Sequence, residues 1–434
     1  MSVRCDLCGL ESTAVEAFRT PPISGTKSQL CCPSCWNKKY AKYLQDRLVA
    51  AAVAAVAGLF ILRYLREFQG LAWYGLAFGL FVLVEMVCVV PHELGHAVAA
   101  LLVNMRLFNI SIGSLGRVVG AVRILGCDVV IRSIPFGGSA LVAPKSKRFV
   151  RLRHVFVSLC GPLANVLLML VGIWLLFSLD PNGVPYWACM VFVGTNAFIL
   201  VCALYPRKVV CGEQLVPNDG LALLTTPFMS QQMVDECYLA WHLLEGLESR
   251  ERHRYEDAKR WFDRAVALAP DSFAAIDALG IGLLDLGQYD EARKLFADLL
   301  QGQDDQPDYQ AACFNNLAWA DFLIGEDGLL PEAMQFSEKA MARFPWTPQF
   351  KGTRGSILVW AGELDEGVRL LSEAFQENYS PDDRACNASM LALAMLKKGH
   401  HQQAERYLKI ARKLHSTCPL LERVEREMAG TVVV

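Results

Sequence analysis

His92, Glu93 and His96, in the sequence His-Glu-Leu-Gly-His, are the residues whose types and spacing are best suited to chemistry. If this stretch is helical, the two histidines project from one face, where both imidazoles can reach one zinc ion. Zinc lowers the pKa of water towards about 7, and a neighbouring glutamate accepts the proton as the water attacks an amide carbonyl. The pattern therefore predicts metal-assisted hydrolysis of a peptide bond, with Glu93 as general base.

The motif lies inside an almost unbroken apolar segment from Leu71 to Val103. A soluble metalloprotease would carry the motif on an amphipathic helix, whereas this segment is suited to a bilayer. Ionisable side chains at membrane depth cost about 2.5–3.5 kcal/mol each on insertion scales. That cost favours a functional role for the two histidines and the glutamate over the alternative, histidines satisfied by hydrogen bonds within a helix bundle.

The composition divides the chain into a membrane half and a soluble half. Hydrophobic residues make up 53% of the 434 residues, and the formal net charge of -2 predicts no bulk attraction to nucleic acid. The 15 cysteines are scattered, which favours reduced thiols and a cytosolic location for the soluble parts. The predicted fold is mainly α: a small zinc ribbon over 1–40, a polytopic membrane helical core with a small β-sheet and about four spans over 45–225, and an α-solenoid over 236–430.

Two Cys-x-x-Cys pairs occur near the N-terminus and are separated by a polar loop. Four thiolates at this spacing suit a closed tetrahedral zinc site, because so short a segment has no core and needs metal binding as its folding energy. The alternative is unliganded or redox-active cysteines. The sequence thus predicts a second zinc ion, structural and not catalytic, held by Cys5, Cys8, Cys32 and Cys35.

Several segments are predicted to build the membrane core. A short apolar segment, about 48–62, follows a basic stretch, which predicts a cytosolic N-terminus. Further spans are predicted over about 155–179 and 186–205. Between 106 and 147 three alternating segments broken by glycines predict short strands: 109–112, 118–124 and 128–134. At membrane depth such strands have to line a cavity or lie at the interface, where an edge strand can bind an unwound substrate by strand addition.

Polar residues in these segments can complete the site. Asn165 is predicted to steady the substrate backbone or the developing oxyanion, and interhelical hydrogen bonding is the alternative. A contribution from Asn196 stays open. Catalytic zinc takes three protein ligands and keeps one position for water, so Asp219 is predicted as the third ligand, with Glu213 as the rival carboxylate.

Six features follow one another along about 70–225: His92-Glu93-x-x-His96, Pro135-Phe-Gly-Gly138, Gly161-Pro-x-x-Asn165, Asn196, Pro206 and Asp219-Gly220. In this order they resemble the site-2 protease family of intramembrane zinc metalloproteases. The resemblance implies that the two histidines and the aspartate bind zinc, that the glutamate activates water, and that the membrane core has three helices. The chain departs from the family pattern by having Ala203 in place of a second asparagine and by a longer gap before the aspartate.

From about Tyr238 the chain becomes a helical repeat. Gly246 aligns with Gly280, and Ala258 with Ala292, at a period of about 34 residues, which is the tetratricopeptide value. About five units are present, enough to bury a continuous solenoid core. They resemble tetratricopeptide repeats, which implies a concave surface for a peptide or protein partner; a spacer or self-association module is the alternative.

The predicted function is a zinc endopeptidase that cuts a membrane protein in or near its transmembrane segment. The chain would be a multi-pass membrane protein in the lipid bilayer, with ribbon and repeats in the cytosol selecting the substrate or binding regulators. No nucleic-acid partner is expected. The alternative is a membrane-anchored scaffold with a vestigial metal site, and the intact Glu93 argues against it because a decayed site commonly loses its general base.

Overall fold

The computed structural model describes residues 3–4, 11–12 and 71–431, apart from 114, 125, 135–136, 212–213, 303–305, 378–379 and 417. The chain divides into two compact units, one of Thr20–Leu244 and one of Met1–Arg19 with Glu245–Val434. Two strands of two residues, β1 (Val3–Arg4) and β2 (Glu11–Ser12), pair antiparallel. The predicted first span and the four cysteines of the predicted ribbon lie outside the described residues: 48–62, Cys5, Cys8, Cys32 and Cys35.

Three helices among the described residues are long and apolar enough to cross a membrane. They are α1 (Leu71–Leu102), α2 (Val150–Leu176) and α3 (Val184–Leu204), and each packs against the other two. Large apolar side chains such as Leu83 and Val87 remain exposed on their outer surface. An exposed apolar surface of this kind is suited to the hydrocarbon of a membrane.

A four-stranded sheet follows α1. Its strands are β3 (Met105–Ile112), β4 (Leu115–Ile124), β5 (Cys127–Ile134) and β6 (Gly138–Pro144), in the order β4-β5-β3-β6. β3 is parallel to β5 and antiparallel to β6. The sheet packs on α1 around the buried Ala97. Alternation predicts the first three strands, but it does not predict β6, which forms one edge of the sheet.

A short hairpin and a short helix follow α3. β7 (Lys208–Cys211) and β8 (Gln214–Pro217) pair antiparallel and lead into α4 (Asp219–Thr225). The two ends of the hairpin meet, because Asn218 N–H donates to the Arg207 carbonyl oxygen at 3.0 Å. The chain therefore leaves and returns at almost the same place.

The remaining α-helices of the described residues form five antiparallel hairpins and a final helix, α15. Pairs of small and aromatic residues hold the first two hairpins together: a Cβ atom added at Gly246 would collide with the Phe262 ring, and one at Gly280 with the Phe296 ring. The 34-residue alignment thus identifies real helix crossings. The helices are α5 (Gln231–Glu251), α6 (Tyr255–Leu268), α7 (Phe273–Asp285), α8 (Tyr289–Gln301), α9 (Pro307–Ile324), α10 (Leu330–Arg343), α11 (Pro348–Ala361), α12 (Leu364–Glu377), α13 (Pro381–Lys397), α14 (His401–Leu414) and α15 (Pro419–Thr431).

The final helix α15 packs across several hairpins. Its buried residues Leu421 and Val424 belong to one apolar cluster with Phe322 of α9, Ile357 of α11 and Leu391 of α13. The repeat core from the third hairpin to the fifth is therefore completed by α15.

Candidate metal centre

Helices α1 and α2 cross at a pair of glycines. A Cβ atom at Gly95 would lie 2.5 Å from the Cys160 carbonyl oxygen, and one at Gly161 would collide with the His96 imidazole. Neither position can therefore hold a side chain while the two helices keep this separation. The His96 imidazole therefore packs directly against the backbone of α2, because residue 161 has no side chain.

Two residues beside Asp219 place it at the start of α4. Asn218 caps α4, since its Oδ1 accepts from Leu221 N–H at 3.1 Å, and its Nδ2 donates to carbonyl oxygens at the end of α3, including Ala203 at 2.8 Å. A Cβ atom at Gly220 would collide with the Leu204 backbone. The cap and the glycine together bring the first turn of α4 against the end of α3.

The longer gap before the aspartate is filled by β7 and β8. Arg207 N–H donates to Asn218 Oδ1 at 3.0 Å, and Asn218 N–H donates back to the Arg207 carbonyl oxygen at 3.0 Å. These two bonds close the base of the hairpin. The extra residues thus form a self-contained loop, and Asp219 still reaches the histidines.

The ligand-type atoms of His92, His96 and Asp219 all lie within 4.8 Å of one another. His92 Nε2 is 3.1 Å from Asp219 Oδ2, His96 Nε2 is 3.3 Å from Asp219 Oδ1, and the two Nε2 atoms are 3.3 Å apart. A tetrahedral zinc site with bonds of about 2.0–2.1 Å has ligand atoms about 3.3–3.4 Å apart. The two imidazole nitrogens are therefore separated by about one edge of a zinc tetrahedron, and each of them faces a different oxygen of Asp219 at a similar distance.

The proton on His92 is located by a chain of buried hydrogen bonds. Asn196 Nδ2 donates to the Phe192 carbonyl oxygen at 2.9 Å, so Asn196 Oδ1 is the atom that accepts from Asn165 Nδ2, also at 2.9 Å. Asn165 Oδ1 then faces His92 Nδ1 at 2.5 Å. Because an amide oxygen only accepts, His92 Nδ1 carries the proton and Nε2 of the neutral ring presents a lone pair.

The orientation of the His96 ring is fixed by a hydrogen bond to the backbone, which again places the proton on Nδ1. Its Nδ1 donates to the Val157 carbonyl oxygen at 2.7 Å, so Nε2 of the neutral ring also presents a lone pair. Two lone pairs and the carboxylate of Asp219 then converge, and only positive charge stabilises them together: a divalent cation, or the extra protons of imidazolium rings. A hydrogen bond from Nδ1 is also what orients zinc-binding histidines, so this donor set fits zinc.

Glu93 lies beside the three ligand-type residues and is buried, with 4% of its surface exposed. Its Oε2 has no hydrogen-bond partner among the described residues. A Cβ atom at Gly138 would lie 2.5 Å from Glu93 Oε1, and the N–H of Gly137 donates to Glu85 Oε1 at 3.4 Å. The start of the edge strand β6 is thus held along α1, next to a carboxylate oxygen that is able to accept a proton.

The structure brings together all three residues predicted as catalytic-zinc ligands, with Glu93 beside them. Asn165, predicted to contact substrate, has its amide between His92 and Asn196, which is the interhelical alternative. The rival carboxylate Glu213 lies outside the described residues. Sequence reasoning missed Asn218, although an asparagine immediately before Asp-Gly is a helix N-cap signal. It also missed the Val157 carbonyl group, for which a side-chain pattern gives no signal.

Peptidase family M50 is the family whose sequence model matches this chain, over residues 80–419. No curated protein matches it. Among solved structures, a thermophilic TPR protein of Thermus thermophilus is 20% identical, with 45% of this chain and 100% of that chain covered and a TM-score of 0.36. MamA of Desulfovibrio magneticus RS-1 is 16% identical, with coverages of 41% and 96% and a TM-score of 0.29. YrrB, a TPR protein with an unusual peptide-binding site, is 16% identical, with coverages of 43% and 90% and a TM-score of 0.27.

Proposed function

This chain belongs to peptidase family M50, and from that premise we propose that it is an intramembrane zinc endopeptidase. The family consists of membrane-embedded metalloproteases, and three of the described helices are suited to a bilayer. His92, His96 and Asp219 hold the catalytic zinc ion in this proposal. The observation that carries it is that the two Nε2 atoms lie 3.3 Å apart and each faces one oxygen of Asp219, at 3.1 and 3.3 Å, while both Nδ1 atoms make other hydrogen bonds.

Zinc at this position supplies Lewis acidity for the attack of water on a peptide carbonyl group. Glu93 accepts the proton of the attacking water and donates it to the leaving amine. The burial of its carboxylate, and an Oε2 with no hydrogen-bond partner in the described part of the chain, support this role. An intact general base argues against the alternative of a scaffold with a vestigial site.

Asn165 acts in this proposal as a positioning residue. It is fully buried and its amide lies between His92 and Asn196, so it orients the imidazole instead of contacting substrate. Asn196 supports it from α3. The sequence-based prediction of a substrate or oxyanion contact for Asn165 is therefore replaced here by control over the direction of His92 Nε2.

The substrate is an unwound segment of a membrane protein that pairs with strand β6. This strand lies at the edge of the sheet, and its first residue, Gly138, contacts the Glu93 carboxylate. An added strand exposes its peptide carbonyl groups along this edge. The scissile bond would thus be presented to both the general base and the zinc ligands.

The parts outside the membrane core have supporting roles in this proposal. The helical hairpins bind the substrate or a regulator, and the N-terminal cysteines hold a structural zinc ion. Both parts lie in the cytosol, as the basic stretch before the first apolar segment predicts. These assignments rest on the sequence: Cys5, Cys8, Cys32 and Cys35 for the zinc ion, and 236–430 for the repeats.

The test compares zinc content and cleavage of a single-span substrate in detergent for the wild type and three variants. Glu93→Gln should keep its zinc and lose cleavage by at least about 100-fold, because general-base catalysis contributes about 10²–10⁴. Asp219→Ala should lose one zinc ion per chain as well as cleavage. Glu213→Ala is the matched control, and it should keep both properties.

Chelation provides a second arm of the same test. 1,10-Phenanthroline should abolish cleavage by the wild type, and its non-chelating isomer should not. The proposal is overturned if Asp219→Ala retains the wild-type zinc content while Glu213→Ala loses an ion, or if Glu93→Gln cleaves as fast as the wild type.

A further inference from the structure

A second group of histidine and aspartate side chains lies in the repeat helices, far from α1 in sequence. His253 follows α5, Asp382 lies in the first turn of α13, and His415 follows α14. Their ligand-type atoms lie within 4.8 Å of one another. His415 Nδ1 is 3.2 Å from Asp382 Oδ1, and His253 Nδ1 is 3.9 Å from Asp382 Oδ2. These contacts join the first hairpin to the fifth.

His253 has an unusual backbone conformation that the other hairpins explain. The turn between the two helices of each later hairpin contains a glycine with positive φ: Gly287, Gly325, Gly362 and Gly399. The first hairpin has His253 at the equivalent turn, with φ of 55°. Glycine adopts this conformation without strain, whereas a residue with a Cβ atom is disfavoured there. A strained residue at one of five equivalent turns points to a role for its side chain.

The side chain of His253 stacks on that of His415. Their ring centroids are 4.2 Å apart and the rings are inclined by 29°. Asp382 contacts both rings, and the Tyr255 hydroxyl group lies 2.9 Å from His253 Nδ1. Two imidazoles and one carboxylate form a donor set that suits zinc, the same set as in the candidate metal centre.

We propose that His253, Asp382 and His415 bind a divalent zinc ion that ties the first hairpin of the repeats to the fifth. The imidazole-to-carboxylate separations of 3.2 and 3.9 Å bracket the roughly 3.3–3.4 Å edge of a zinc tetrahedron. Binding requires the His253 ring to turn out of its stack with His415 and to exchange the Tyr255 hydroxyl group for the ion, and the exposure of its side chain leaves room for that turn. The ion cross-links segments that are distant in sequence, and it stabilises the contact between the first and the fifth hairpin.

The experiment measures zinc binding by the full-length chain in detergent. Wild type and His253→Gly are stripped with a chelator, dialysed against zinc chloride, and analysed for zinc per chain. The glycine variant removes the ligand and restores the residue type of the other four turns, so the hairpin retains its fold. His400→Ala is the matched control, because it removes an exposed histidine that follows the glycine of the fifth turn. Zinc-dependent thermal unfolding is measured on the same samples.

The proposal predicts that His253→Gly binds one zinc ion fewer than the wild type and that His400→Ala binds the wild-type number. The unfolding midpoint of the repeats should rise with zinc in the wild type and should not rise in His253→Gly. Asp382→Asn should behave like His253→Gly. The proposal is overturned if wild type and His253→Gly bind the same number of zinc ions, or if zinc raises both midpoints equally.

Discussion

The candidate metal centre and the histidine cluster of the repeats use the same residue types, but they are assembled differently. His92 and His96 lie one turn apart on α1, so a single helix sets their relative position. His253, Asp382 and His415 come from three separate segments and meet only when the hairpins pack. One cluster is thus mostly local in sequence, and the other is entirely tertiary.

The two clusters also differ in how firmly each imidazole is oriented. In the membrane unit both Nδ1 atoms donate to buried acceptors, Asn165 Oδ1 and the Val157 carbonyl oxygen. In the repeats the His253 side chain is 44% exposed and its Nδ1 contacts the Tyr255 hydroxyl group. Catalysis requires ligands held in one geometry, whereas a structural ion can draw in an adaptable ligand. This difference in the orientation of the imidazoles distinguishes a candidate reaction centre from a candidate structural cross-link.

The largest effect is expected from disturbing the contact between His96 and Gly161 of α2. Gly161→Ala places a Cβ atom in the space of the imidazole, so we expect loss of one zinc ion per chain and at least about 100-fold slower cleavage, because a displacement of about 1 Å costs that much. Gly194→Ala on α3 is the control, since a Cβ atom there meets nothing within 4 Å. Equal loss of activity in both variants would show that activity depends on helix packing in general and not on the contact between His96 and Gly161.

A smaller effect is expected from removing the acceptor of His92. Asn165→Ala leaves Nδ1 without its partner, so zinc affinity or cleavage should fall about 10–100-fold, the usual cost of losing a hydrogen bond behind a metal ligand. Zinc titration and cleavage rates measure it, with Asn182→Ala in the exposed turn before α3 as control. If Asn165→Ala bound zinc as tightly as the wild type, zinc binding by His92 would not depend on the hydrogen bond from its Nδ1 to Asn165.

The smallest effect is expected at the repeat cluster. Tyr255→Phe removes a hydroxyl group that competes with the ion for His253 Nδ1, and a hydrogen bond contributes about 0.5–1.5 kcal/mol, so zinc affinity of this cluster should rise only about 2- to 10-fold. Competition with a chromophoric chelator measures it. Tyr289→Phe, at the same position of the second hairpin, is the control. An effect as large as that of Asn165→Ala would remove the distinction between the two clusters.

Much of the fold and of the candidate site can be predicted from local pattern. The His92/His96 pair follows from a spacing of four residues, and the three apolar helices follow from composition. Strand β6 was not predicted, because Gly138-Ser-Ala-Leu-Val-Ala-Pro144 consists mostly of small residues without alternation. Neighbouring strand β3 and helix α1 hold it in place, and a single segment does not encode such neighbours.

The remaining features depend on contacts between distant segments. The Val157 carbonyl group has no side-chain signature, and the direction of the Asn165 amide is decided by Asn196 on another helix. His253 is different, because a signal was present: at the repeat period it occupies the position where later units have glycine. Aligning the turns as well as the helix crossings would have identified it.

The packing of α15 has a consequence for biosynthesis. Phe322 of α9 shares its buried cluster with Leu421 and Val424 of α15. Chains are synthesised at about 5–20 residues per second, so roughly 5–20 seconds separate the appearance of these two parts. Until α15 is made, the residues of this cluster that have already been synthesised lack their cover and are accessible to chaperones. A nascent chain interrupted before Pro419 would keep this apolar surface exposed and prone to aggregation.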